Sequence, residues 1–314
     1  MMPVSISLLS QILRITLICG IATLLLGACS LRQMALDRTA DALTAQGPGF
    51  AGDDDPELIR DAAPFYLKLV DSLLAERPQH PGLLLAAARG YTQYAYAYLQ
   101  QEADEVEEQD VNAAYRLRDR AARLYKRARE YGLRGLAGRK PVADFVTGLR
   151  SDPAQCLIRF DRAEVALLYW TAAAWASWIS LSRDNPEAVA DLPLALTLLD
   201  RALALDEAWS GGAIHSLFIT LEMSRGGNQE QATARARTHF ERAKLLSHDS
   251  IPGPYVSLAE AVAIPQQDRP QFDSLLNAAL AIDPDANPDA RLENHIMQRR
   301  ARWLQQHAAK FFME

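Results

Sequence analysis

Disulfides cannot organise this chain. Its 314 residues hold three cysteines, Cys19, Cys29 and Cys156, too few for a covalent framework, so stability has to come from packing. An excess of base is missing as well: 33 Lys and Arg stand against 39 Asp and Glu, for a net charge of −6. A nucleic-acid partner is therefore not expected. His80, His215, His239, His248, His295 and His307 never form HExxH or a close ligand pair, so the sequence offers no metal centre. GxSxG, GxxxxGK and a GxGxxG opening a helix after a strand are all absent, which leaves acyl transfer, phosphate binding and dinucleotide binding without a signal. Asp53-Asp54-Asp55 lacks calcium-loop spacing and reads as a helix cap. Cys156 has no activating neighbour and reads as a small core residue. Neither an enzyme nor a bound cofactor is expected. Runs of alternating apolar and polar residues are also lacking, so the predicted class is all-α.

One long apolar run is present. In residues 1–28 Arg14 is the only charge, and the stretch from Ile15 to Leu26 is broken only by small and polar residues. Its length and flanks fit a cleaved secretory leader better than a membrane span. The leader ends in Leu26-Gly27-Ala28-Cys29, which resembles the bacterial lipobox, whose cysteine is lipidated and becomes the mature N-terminus. Residues 1–28 are thus read as the leader, 29–55 as a tether holding the protein to a membrane through lipid on Cys29, and 56–314 as the helical domain. Ser30 is not the Asp that, by analogy, would retain a lipoprotein at the inner membrane, so the expected location is the periplasmic face of the outer membrane.

Helix signals fill the rest. Gln46-Gly47-Pro48-Gly49 breaks a short helical stretch at 31–45. Asp55, Pro56 and Glu57 open a helix reaching about Glu76, with Leu58, Phe65, Leu69 and Leu73 expected on its buried stripe. A second helix from Leu83 ends in the acids Glu102, Asp104, Glu105, Glu107, Glu108 and Asp110, which oppose the helix dipole. The basic residues of a third helix, Arg116 to Arg129, are the expected neutralising partner. That third helix is predicted to end near Tyr131, with Gly132, Gly135 and Gly138 loosening the chain.

Two helices carry aromatic clusters. Tyr91, Tyr94 and Tyr98 share one helix face; Trp170 and Trp178 share another, with Trp175 beside it. Two readings fit such spacing: core stripes, or anchors lining a cleft for a partner or apolar ligand. Downstream the sequence repeats. Leu199 to Asp206, Phe240 to Ser247 and Leu276 to Asp283 share an aromatic or Leu, a two-residue gap, Ala and a polar turn, and Tyr125 to Glu130 is a fainter copy. The offsets lie slightly above those of tetratricopeptide repeats, so antiparallel helix pairs in a degenerate array are expected.

Several segments together resemble the T component of TRAP transporters, the tripartite ATP-independent periplasmic systems. They are Asp54-Asp55-Pro56-Glu57-Leu58, Gly90-Tyr91-Thr92-Gln93-Tyr94-Ala95-Tyr96-Ala97, Tyr131-Gly132-Leu133, and Tyr169-Trp170-Thr171-Ala172-Ala173-Ala174-Trp175. The resemblance implies a periplasmic lipoprotein of cryptic tetratricopeptide repeats, able to form a homotrimer and to associate with the solute-binding protein of such a system. The expectation from a different class is a general envelope-assembly scaffold.

Overall fold

In the computed structural model, residues 33–44 and 50–313 are described. The leader, Cys29 and Ser30 lie outside these residues. Among the described residues every regular element is helical, as predicted. A first helix, α1, covers 33–44. It is followed by α2 (Pro56–Glu76), α3 (Pro81–Ala95), α4 (Gln101–Val106), α5 (Val111–Ala137), α6 (Val142–Ser151), α7 (Pro153–Leu157) and α8 (Val165–Ser180). The second half holds α9 (Pro186–Ala190), α10 (Leu192–Leu205), α11 (Ala213–Leu221), α12 (Gln229–Leu246), α13 (Gly253–Leu258), α14 (Arg269–Ala281) and α15 (Arg291–Gln306).

Local chemistry sets the boundaries. The Asp55 carboxylate accepts from the backbone N–H of Glu57 and Leu58 ahead of Pro56, giving α2 a capped start. Its buried stripe is Ile59, Leu67, Val70, Leu73 and Leu74; of the predicted stripe only Leu73 is inside, while Leu58, Phe65 and Leu69 face outward. The sequence offered apolar residues on two faces of α2, and packing chose the one that meets α3. The basic helix also runs further than predicted, through Gly132 and Gly135. These glycines are contact points: a Cβ on Gly132 would lie 2.2 Å from Thr171 Oγ1, and one on Gly135 would lie 2.8 Å from Leu167 Cδ2. They let α5 and α8 approach closely, and only Gly138, at φ 64°, ends the helix.

The helices form two layers. Each packs on its neighbours in sequence, from α2 on α3 and α3 on α5 through α8, α10, α11, α12, α13 and α14 to α15. Alternate members then touch one another: α3 meets α8, α8 meets α11, α11 meets α13, and α13 meets α15. The inner row closes on itself. α15 contacts α2, Arg299 Nη2 donates to the Ala97 carbonyl at 2.7 Å, the Leu292 N–H donates to the Ala51 carbonyl at 3.0 Å, and Tyr96 Oη donates to Met297 Sδ at 3.7 Å. The acidic end of the second helix joins this closure. Asp104 and Glu107 pair with Arg118 of the basic helix as expected, but Asp104 also meets Arg300 and Glu108 meets Lys310 from the far end of the chain.

The repeated octets map onto the outer row. Tyr125, Leu199, Phe240 and Leu276 are buried in α5, α10, α12 and α14, and the Ala three residues on, Ala128, Ala202, Ala243 and Ala279, is fully buried in each. A large apolar residue and a small one on the same face let an inner helix seat against the outer one.

Candidate functional site

The inner row decides which side chains face the middle of the ring. On α8, Val165, Leu168, Ala172, Trp175 and Ile179 enter the core shared with α10, and Ala174 enters the one shared with α3 and α5. What remains is Ala166, Trp170, Ala173 and Ser177, spaced as one helix stripe and, apart from Ala173, only half-buried. Trp170 belongs to none of the three described cores. Beside it, the Tyr169 ring lies 4.9 Å from Trp170 at 82° and 4.8 Å from Trp209 at 48°. Trp209 is brought there by a tight turn in which Ser210, Gly211 and Gly212 all have positive φ.

Opposite, α15 contributes Glu293, Met297 and Arg300 at i, i+4 and i+7 on one face. The helix begun by α3 contributes Tyr96, at the start of a π-helical turn, Tyr96–Gln100, that joins α3 to α4. A second π turn, Ala259–Ala263, follows α13. Arg300 ties the second π turn to α4: its Nε and Nη2 donate to Glu260 Oε1 at 3.0 and 2.6 Å, and its Nη2 also lies 2.9 Å from Asp104. Such insertions redirect side chains that a regular helix would place elsewhere.

Electrostatics differ along this wall. Arg300 is paired twice. Glu293 has no ion pair or hydrogen bond among the described residues, and water reaches it, yet burial alone pushes its carboxyl above the usual carboxylate range. Burial raises the Tyr96 phenol, reinforced by Glu260, and it raises the Tyr169 phenol, reinforced by Glu293.

The six predicted aromatic residues divide. Tyr91, Tyr94, Tyr98 and Trp175 are core side chains, at most 9% exposed, and so do not line an open cleft. Tyr91 Oη and Tyr131 Oη both donate to Asp71, at 2.7 and 2.8 Å, and burial with this carboxylate pushes the Tyr91 phenol up to about 12. Trp175 and Trp178 hold the Arg129 guanidinium at 4.5 and 4.9 Å from their ring centres, which turns Trp178 toward α5. Trp170 alone of the six joins the inner stripe. Tyr169 and Trp209 pack beside it, and no residue pattern in the sequence announced this trio or the π turns.

Comparison with known proteins decides the family. Residues 52–312 match the TRAP transporter T-component family. The chain belongs to that family. The chain is also similar to an uncharacterised protein of Treponema pallidum (strain Nichols), 29% identical over 311 residues and covering 93% of this chain and 95% of the relative. The T-component is a transporter accessory component and its family is not a family of enzymes. No helix among the described residues is long and apolar enough to cross a membrane.

Proposed function

We propose that this T-component is a lipid-anchored periplasmic adaptor that docks the solute-binding protein of a TRAP-type transporter, and that its helix pairs are degenerate tetratricopeptide-like repeats. The observation that carries the reading is the family match across nearly the whole helical domain. Two features support it. The Leu58, Phe65 and Leu69 stripe of α2 leaves a large apolar face uncovered, with Phe65 76% exposed, and such faces on helical arrays serve protein partners. The lipobox-like Leu26-Gly27-Ala28-Cys29 lies 27 residues before Pro56, so a lipid on Cys29 would hold α2 close to a membrane, the outer membrane by the Ser30 argument. The reading includes a cleft for an apolar ligand, with Trp170 as the one of the six aromatics outside the described cores and core margins, and association into a homotrimer.

Affinity capture with the full-length protein from an envelope extract tests the adaptor role. Enrichment of one solute-binding protein, lost on Phe65→Glu, supports it. Recovery of envelope-assembly proteins alone moves the assignment to a general scaffold. Metabolic labelling with palmitate, present in the wild type and absent in Cys29→Ala, tests the anchor separately.

A further inference from the structure

The octets of the outer row share an arginine as well as their apolar pair. It stands immediately before the buried Ala in three of the four: Arg127 in α5, Arg201 in α10 and Arg242 in α12. Two of these meet a carboxylate from an earlier segment of the chain. Arg127 Nη1 lies 3.7 Å from Asp71 of α2, and Arg242 reaches Glu207, in the turn after α10, through Nε at 2.9 Å and Nη2 at 2.8 Å. Arg201 has no acid within ion-pair distance among the described residues. Its Nη2 donates to the Phe160 carbonyl at 2.5 Å, and its Nε is buried with no acceptor. The acids near it in sequence are committed elsewhere, Asp200 to Arg225 at 2.6 Å and Asp206 to Arg162 at 2.8 Å.

Where the acid is missing there is a groove. Between α7 and α10 a depression of about 420 Å³ is lined by Pro153, Ala154, Leu157, Ile158, Thr197 and Arg201, with Arg201 the one charged side chain among them. The Thr197 hydroxyl is spent on the Pro193 carbonyl at 2.8 Å, so carbon forms the remaining walls, and Ile158 is 69% exposed. Apolar walls with one placed polar group, in a volume of this order, are the composition of a small-molecule site. Six residues fall far short of the roughly 20–30 a side that a stable protein interface takes. A carboxylate on an apolar body satisfies both halves of the groove, with a charge-assisted bond to the guanidinium and burial of carbon against Leu157 and Ile158. We infer that this groove binds a small amphiphilic monocarboxylate, the ligand supplying at Arg201 the acid that Asp71 and Glu207 supply to the other two copies. The inference is independent of docking to a solute-binding protein and of the cleft beside Trp170.

The test titrates the full-length protein calorimetrically at neutral pH with octanoate and with octanamide, which has the same shape and no charge. Octanoate should bind saturably and about tenfold more tightly than the amide, the scale of one charge-assisted hydrogen bond in a half-open groove. Arg201→Gln should abolish that preference. Arg201→Lys, which keeps the charge but not the planar fork, should retain part of it. Ile158→Ser, at an exposed position, should weaken both probes alike and leave the melting temperature unchanged. Melting temperature followed for each variant, together with the Lys variant, separates loss of the site from loss of the fold. Equal affinity of the wild type for the two probes overturns the carboxylate assignment. Saturable binding that survives both Arg201→Gln and Ile158→Ser lies elsewhere on the protein and overturns the groove, as does the absence of saturable binding by octanoate.

Discussion

The tyrosine helix α3 and the tryptophan helix α8 look alike in sequence, and the structure uses them differently. In α3 the ringed face is walled in by α2 and α5: Tyr91 is anchored on Asp71, and the rings of Tyr94 and Tyr98 lie 5.5 Å apart in the same core. In α8 one tryptophan is core, one clamps an arginine, and one faces the interior. The number of neighbours explains the contrast. α8 is flanked by α3, α5, α10 and α11, so each of its faces meets a different environment, and residues one turn apart can serve different ends. Aromatic spacing establishes that a helix has a crowded face. It does not tell which face the tertiary neighbours leave open.

The largest test of this contrast is Trp175→Ala. The side chain is fully buried and stacks on Arg129, so its removal should cost about 3–5 kcal/mol, read from chemical denaturation. Next is the close approach that fixes α8 against α5. Gly132→Ala places a methyl into Thr171 and should cost about 1–3 kcal/mol, recovered in part by Thr171→Ala in the same chain, which removes the hydroxyl that the methyl meets first.

A third test addresses the α11–α12 pair, whose polar core differs from the aromatic one. His215 Nδ1 and His239 Nδ1 lie 2.7 Å apart, with His215 Nε2 3.1 Å from Glu207 and His239 near Glu222, among Arg225, Arg235 and Arg242. Burial, reinforced by His215, lowers His239 to about 4, and burial also lowers His215. Because both are harder to protonate folded than unfolded, their contribution is complete above the ordinary histidine range and is lost as pH falls from there through about 4. Melting temperature measured across that window should fall more in the wild type than in His239→Phe. The smallest expected effect on stability is at Trp170. As it belongs to no core, Trp170→Ala should cost about 1 kcal/mol or less, chiefly the edge contact with Tyr169. A loss as large as that for Trp175→Ala would erase the distinction between the two rings.

Sequence by itself determined the helical class, the capped start at Asp55, and the outer row, whose large-gap-Ala grammar in α5, α10, α12 and α14 reflects helices that meet the inner row along one face. Local chemistry suffices there because capping and one-sided burial are written in residues three or four apart. Tertiary structure decided the rest. It chose the inner stripe of α2 over the apolar one now exposed, carried α5 through glycines that would otherwise read as breakers, and paired the acidic end of the second helix with Arg300 and Lys310 from some 200 residues away. It also brought Trp170 and Trp209 against the ring of Tyr169. The pairing with Arg300 depends on closing α15 against the start of the domain, and ring closure is a property of the sum of small helix-to-helix rotations, which no single stretch of the chain encodes.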